Sequence, residues 1–409
     1  MLNRLWTGFF FVAFVSALVR WLALGDAGVW QELVASLFDM AKVGFEIALG
    51  LTGVMALWLG IMRVGERGGA VDLLSRAFGP LFRRLFPGVP AGHPAEGSIV
   101  MNMAANMLGL DNAATPLGLK AMQELQTLNP SEDTASNDQI LFLVINTSAV
   151  TVLPVTIFTY RAQLGAADPT DIFLPVIIAT FCSTLVGLMV TAAFQKLRLW
   201  QPVVLAYLGG MAAVLAGVVT YFARLPQEAM ESQLSVTANL LIFTVVVGFF
   251  ALAVRRRVNL YESFVDGAKE GFTTAVGIIP YLVAMLVAIG VLRASGALDL
   301  ALDGVRAAVN GLGADARWVD GLPTALMKPL SGSGARGMLI ETMTEHGADS
   351  FAGRLASVVQ GSTETTFYVL AVYFGAVKIR KTRHAVACGL AADAAGIVAA
   401  ILVSYLFFG

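Results

Sequence analysis

The chain has 409 residues, of which 57% are hydrophobic and only 13% charged, and its formal net charge is −1. Its mean hydropathy is +0.74. A soluble domain carries about 25% charged residues, so a soluble fold would lack the polar residues to cover itself, and the near-neutral balance excludes nucleic acid as a partner.

The apolar residues come in blocks of about 20, the length that crosses a bilayer's hydrocarbon. They predict an all-α polytopic membrane protein with nine spans, at 6–24, 46–64, 139–160, 171–195, 202–223, 236–254, 273–292, 353–376 and 384–408. The first block has the look of a signal peptide, but Arg20 and Trp21 follow it without a small-x-small cleavage site. It reads as a retained helix. Two further segments, 97–122 and 322–344, are moderately apolar yet rich in Gly, Asn, Ser, Thr and Pro. Broken backbone at membrane depth needs protein or water around it, so both are expected to be re-entrant hairpins.

Lysine and arginine set the orientation. With the N-terminus in the cytoplasm, the cytoplasmic segments hold the clusters Arg63–Arg84, Lys196 with Arg198, Arg255–Arg257 and Lys378–Arg383. The opposite loops hold only dispersed positives such as Arg20, Arg161 and Arg224. Nine spans then leave the C-terminus outside, and the expected location is a bacterial inner membrane.

The chain also repeats itself. Asp, Ala, Lys, Gly, Phe, Ala and Gly within 39–50 recur within 266–277 at a constant offset of 227 residues. The same offset carries Gly69, Ala70 and Asp72 onto Gly296, Ala297 and Asp299. Further on, Asn146-Thr-Ser148 falls opposite Gln360-Gly-Ser362. The expected organisation is a first repeat over 1–198, a linking helix over 199–232 and a second repeat over 233–409. The single extra crossing makes the two repeats inverted, as in many secondary transporters.

Polar residues at depth mark the candidate site. In the first hairpin these are Asn106, Asp111, Asn112 and Thr115, with Asp111 or Asn112 suited to cap a helix that Pro116 opens. In the second they are Ser331, Ser333 and Arg336, set in a glycine-rich run, Gly332-Ser-Gly-Ala-Arg-Gly337. Its spacing is formally that of a dinucleotide motif. No strand precedes it, so the run reads either as an anion-binding nest or as a tight hairpin tip. Asn146 and Ser148 on one span match Gln360, Ser362, Thr363 and Glu364 on another. Intramembrane Ser and Thr often only bond their own backbone. An ionisable residue at depth, such as Glu364 or Asp393, costs roughly 2.5–3.5 kcal/mol to insert and is functional by default. Either would bind a coupling Na⁺ or H⁺, or pair structurally with Arg336.

No metal site is expected. The histidines are scattered, and Cys182 and Cys388 lie in apolar blocks without metal spacing. No enzyme motif occurs either: P-loop, HExxH, GxSxG and EF-hand patterns are missing, so no cofactor is implied and no catalytic residue is named.

These same residues carry a resemblance. Asn106-Met-Leu-Gly-Leu-Asp-Asn-Ala-Ala-Thr-Pro resembles the spore maturation A family, apart from Asp111, which stands where glycine is expected. Pro329-Leu-Ser-Gly-Ser-Gly-Ala-Arg-Gly337 and Gln360-Gly-Ser-Thr-Glu-Thr-Thr resemble the spore maturation B family. The chain looks like a fusion of the two, within a nucleoside-recognition or gate-domain family that also contributes to nucleoside and ferrous-iron transporters. That domain name does not imply a nucleoside substrate.

The resulting expectation is a secondary transporter of a small anionic or zwitterionic solute, embedded in the lipid bilayer, with a weak hint of a homo-oligomer. The alternatives are a non-transporting assembly or regulatory factor of envelope or spore maturation, and a lipid-handling or channel protein.

Overall fold

Backbone polar groups in hydrocarbon must bond within their own segment, and every extended regular element among the described residues is a helix. The computed structural model describes residues 2–109, 111–148 and 151–409, without the side chains of residues 2, 3, 111–113, 227 and 228. In chain order the helices are α1 (Leu2–Leu24), α2 (Val29–Gly68), α3 (Ala70–Leu85), α4 (Pro94–Met107), α5 (Asp111–Thr127), α6 (Asn137–Ser148), α7 (Val155–Gln163), α8 (Phe173–Gln195) and α9 (Pro202–Phe222). They continue as α10 (Gln227–Arg255), α11 (Leu260–Ala294), α12 (Ala297–Gly311), α13 (Leu322–Met327), α14 (Gly332–His346), α15 (Phe351–Ser362), α16 (Thr366–Ala376) and α17 (Ala385–Phe408), with a 3-10 turn, Arg317–Gly321, before α13.

Seven of the described helices (α1, α2, α8, α9, α10, α11 and α17) are long and apolar enough to cross a membrane. The other two expected spans exist as broken helices. The stretch 139–160 is α6 and α7, and Pro154 stands as N-cap of α7. A proline has no N–H to continue a helix. The stretch 353–376 is α15 and α16, separated by extended backbone with Thr363 at φ −149°, ψ 171° and Thr365 at φ −81°, ψ 100°. Hydropathy averages over both breaks, because the residues flanking them are apolar.

Helices α2 and α11 are longer than their expected spans. At 40 and 35 residues they reach about 60 and 52 Å at 1.5 Å per residue. They pack antiparallel through small residues. A Cβ on Gly44 would lie 3.2 Å from the Val283 Cα, and one on Gly271 would lie 2.7 Å from the Ala56 Cα. Shifting Gly44 up and Val283 down by the 227-residue offset turns the first contact into the second. The Met40–Gly290 contact maps in the same way onto Arg63–Gly267.

Both helices end in a left-handed glycine, Gly69 at φ +87° and Gly296 at φ +78°, where the chain turns into α3 and α12. Ion pairs clamp the bundle at both ends. Arg67 meets Asp266 at 2.9 Å, and Arg63 pairs with Glu270. At the far end the fully buried Arg161 meets Asp171 at 2.9 Å and Asp349 at 3.1 Å. Exposed Phe11, Leu22, Leu240 and Phe243 leave α1 and α10 with apolar outer faces, while α8 and α17 pack together inside.

Candidate functional site

Two helical hairpins and two helix breaks meet at the centre of the bundle. In the first hairpin, α4 turns into α5 through Gly109 at φ +70°, where a Cβ would lie 2.6 Å from the Leu153 carbonyl. Glycine is required there both for the left-handed turn and for the approach of the first break. Buried Asn102 closes the hairpin by donating from Nδ2 to the Ala114 carbonyl at 2.7 Å. In the second hairpin, α13 turns into α14, and Ser331 caps α14 by accepting the Gly334 N–H at 3.0 Å.

Backbone hydrogen bonds tie the four irregular points together. Val152 N–H in the first break donates to Met107 O at the first hairpin turn, at 2.8 Å. Glu364 N–H in the second break donates to Thr147 O at the end of α6, at 2.7 Å. Phe367 N–H donates to Pro329 O at the second hairpin turn, at 3.1 Å. Each interrupted helix thereby satisfies, across the bundle, groups that its own axis leaves unpaired.

These elements enclose a cavity of about 680 Å³ lined by Asn106, Thr115, Asn146, Ser331, Ser333, Arg336 and Glu364, together with Tyr160, Tyr281, Tyr368 and Tyr373. A smaller cavity of about 130 Å³ shares Arg336, Glu364 and Tyr160 with it and adds Gln360, Thr363 and Lys328. On one wall an amide chain links three helices. Asn106 Nδ2 donates to Asn146 Oδ1 at 2.8 Å, Tyr373 OH donates to the same oxygen at 3.3 Å, and Asn146 Nδ2 donates to Phe142 O at 2.9 Å.

Nine of the sequence-predicted residues thus come to the cavity walls. Ser148 and Ser362 do not. Both are buried, and each hydroxyl donates to the carbonyl three residues earlier, Ile145 and Val359. They close the last turns of α6 and α15 instead. Asp393 also lies off the cavity walls. It is 1% exposed and accepts the Thr366 hydroxyl at 2.6 Å, at the N-terminus of α16, where a carboxylate suits the helix dipole. Gly389 and Gly396 flank it. A Cβ on either would lie within 2.8 Å of Thr366 or Thr363 methyls, so both glycines let α17 reach the break. The side chains of Asp111 and Asn112 lie outside the described residues; their backbone opens α5.

The glycine-rich run is not an anion-binding nest. None of Gly332, Gly334 and Gly337 has positive φ, and a nest needs alternating handedness. The three glycines permit close approaches instead, with Cβ positions 3.0 Å from Thr365 Oγ1 for Gly332 and 3.0 Å from Met285 Cβ for Gly337. Arg336 bends back, its Nε donating to Gly332 O at 3.2 Å. Arg336 and the first residues of α14 line the cavity.

Sequence reasoning missed Lys328, Asn102 and Tyr373. Lys328 is 3% exposed, on the wall of the smaller cavity and close enough to act electrostatically on Asp393. It is a charge inside an apolar run, so the rule that flagged Glu364 applies equally to it. Tyr373 gave no signal, because an aromatic in a span reads as packing. Among the described residues no group of three or more His, Cys, Asp or Glu side chains gathers as metal ligands.

The comparisons with known proteins fall on the same elements. A family profile described as Gate, nucleoside recognition, matches residues 48–164 and 275–380. Those stretches hold both hairpins and both breaks; Asp393 lies beyond them. The chain is 50% identical over 165 residues to spore maturation protein B of Bacillus subtilis (strain 168), covering 91% of that protein and 40% of this chain. It is 37% identical over 198 residues to spore maturation protein A of the same organism, covering 97% of that protein and 48% of this chain. No solved structure matches.

Proposed function

The chain belongs to the nucleoside-recognition Gate family of multi-pass membrane proteins, and from that premise we propose that it is a secondary transporter for a small polar, anionic or zwitterionic solute. The observation that carries this reading is the convergence of two hairpin turns and two helix breaks on one polar cavity. Half-helix ends at mid-bundle supply fixed N–H and C=O dipoles that no continuous span offers. Arg336 and the N-terminus of α14 would take the solute's negative group. Asn106, Asn146, Ser331 and Ser333 would bond its polar edge.

Coupling to Na⁺ or H⁺ would run through Glu364, which is exposed to both cavities, or through buried Asp393. A bound ion at Asp393 would compete with Thr366 and so act on the N-terminus of α16. The residues support no catalytic role, and we read the protein as a carrier and not an enzyme.

The α2–α11 contacts support inverted repeats over 1–198 and 233–409, with 199–232 as the linking helix. Antiparallel equivalent helices whose contacts exchange under one offset are related by a two-fold axis perpendicular to them. For helices crossing a bilayer, that axis lies in the membrane plane. The two hairpins would then enter from opposite sides, 97–122 from the cytoplasm and 322–344 from outside. The proposed setting is a bacterial inner membrane, with the N-terminus inside, the C-terminus outside and a homo-oligomeric assembly.

The names of the two relatives favour a second reading, a membrane factor in envelope or spore maturation that keeps the fold without flux. Purified protein in liposomes separates the two. Uptake of labelled amino acids, organic acids or nucleosides should depend on a Na⁺ or H⁺ gradient, and Glu364→Gln or Arg336→Gln should lower it at least tenfold, as expected for loss of a charged contact. If no solute crosses under either gradient, and Glu364→Gln leaves the cells unchanged, the transporter reading fails.

A further inference from the structure

Both ends of the bundle carry ion pairs, but they differ in how much positive charge is left over. At the end carrying α7 and the start of α15, Arg161, Arg293, Arg306, Arg317 and Arg354 each pair with a carboxylate. At the other end, Arg84, Lys196, Arg198, Arg255, Arg257 and Lys378 make no ion pair among the described residues. Positive charge left without protein counterions looks for them in its surroundings.

The backbone gives a second, independent observation. The described non-glycine residues with positive φ are Lys196 (56°), Arg257 (57°), Lys378 (59°) and Arg383 (50°). All four are basic; Lys196 directly follows α8, and Arg257 and Lys378 stand two residues past the ends of α10 and α16. Glycine takes this conformation without cost, and a residue with a Cβ does not. Holding lysine or arginine there retains a charge where glycine would give a more stable turn.

One pocket gathers these features. A cavity of about 380 Å³ lies between the end of α3 and the α8–α9 connection, lined by Arg84, Lys196, Arg198, Asn137, Asp138 and Gln201. The Asp138 carboxylate is engaged by the Gly88 backbone N–H. Beside the pocket stands Trp200, 85% exposed. An indole that open, next to basic residues at a span's end, marks headgroup depth. The neighbouring turn is fixed by Phe194 stacked on His384 at 5.0 Å, with Gln195 bonded to the same imidazole at 3.0 Å.

We infer that this pocket seats the phosphate of an anionic phospholipid from the adjoining leaflet, with Arg84, Lys196 and Arg198 as its ligands. Basic pockets between membrane helices suit that headgroup. The inference stands apart from the transport reading, since it involves neither hairpin nor break.

Native mass spectrometry and thermal melts of the full chain, with phosphatidylglycerol against phosphatidylcholine, test it. The wild type should retain phosphatidylglycerol selectively and melt higher with it. Arg84→Gln/Lys196→Gly/Arg198→Gln should bind it roughly 100-fold more weakly, given the attraction of each basic group near a membrane surface. Lys196→Gly alone should melt higher than wild type in phosphatidylcholine and lose part of the phosphatidylglycerol shift; this variant decides the matter if the triple variant does not fold. Equal affinity for both lipids, or unchanged retention in these variants, overturns the inference. Full displacement of the lipid by millimolar inorganic phosphate also overturns it, because the pocket would then be a free-anion site.

Discussion

The bond from Asn106 Nδ2 to Asn146 Oδ1, at 2.8 Å, is the side-chain link between the first hairpin and α6 at the cavity wall; a second, from Gln139 Nε2 to Gln126 Oε1 at 2.7 Å, lies at the far end of α5. A double-mutant cycle can isolate the first. Asn146→Ala removes the acceptor shared by Asn106 Nδ2 and Tyr373 OH, and the side-chain donor to Phe142 O, which keeps its helical partner. Net hydrogen bonds contribute about 1 kcal/mol each, and an orphaned buried group costs about 1–3 kcal/mol, so the single variant should lose about 2–4 kcal/mol. Asn106→Ala leaves a half-buried position on the cavity wall, where water can enter, and should lose about 1–2 kcal/mol. The double variant should fall short of the sum by about 0.5–1.5 kcal/mol. Equilibrium unfolding in one detergent, followed by circular dichroism, measures all four species. Additivity within about 0.5 kcal/mol would mean that the hairpin is held by other contacts and would refute this account of the wall.

The remaining predictions concern the close approaches and the break. Gly271→Leu drives a side chain into the backbone of Ala56 and should cost about 1–3 kcal/mol or more. Gly53→Leu, whose Cβ meets nothing within 4 Å, should be near neutral; equal melting temperatures for the two would remove the α2–α11 packing argument. Gly109→Ala combines φ +70° with a Cβ 2.6 Å from Leu153 O and should destabilise by at least about 1–2 kcal/mol, measured by the same unfolding assay. Thr366→Val deletes the 2.6 Å bond to Asp393 and should cost about 1.5–3 kcal/mol, with Thr366→Ser restoring most of it; an unchanged melt for the valine variant would place Asp393 elsewhere.

Much of the site was legible in the sequence because polar residues are conspicuous in an apolar chain. Asn106, Asn146, Arg336 and Glu364 stood out for that reason, and all four reach one cavity. The same logic over-reached at Ser148 and Ser362, whose hydroxyls serve their own helix ends. It under-reached at Lys328, hidden beside Pro329 in a run read as a turn. The glycine-rich run was ambiguous for a physical reason: glycine marks a special φ or a close neighbour, and only the fold reports which. Here it is the neighbour.

By itself the sequence determined the membrane setting and the helical class, since block length and apolar composition are properties of the chain alone. Only the tertiary structure decided that two of nine apolar blocks are broken. A break is stable only where other segments satisfy its backbone, as Met107, Thr147 and Pro329 do here, and those partners lie from 38 to 217 residues away. Local pattern carries no record of such bonds. It is their meeting that makes a cavity out of what reads as four separate irregularities.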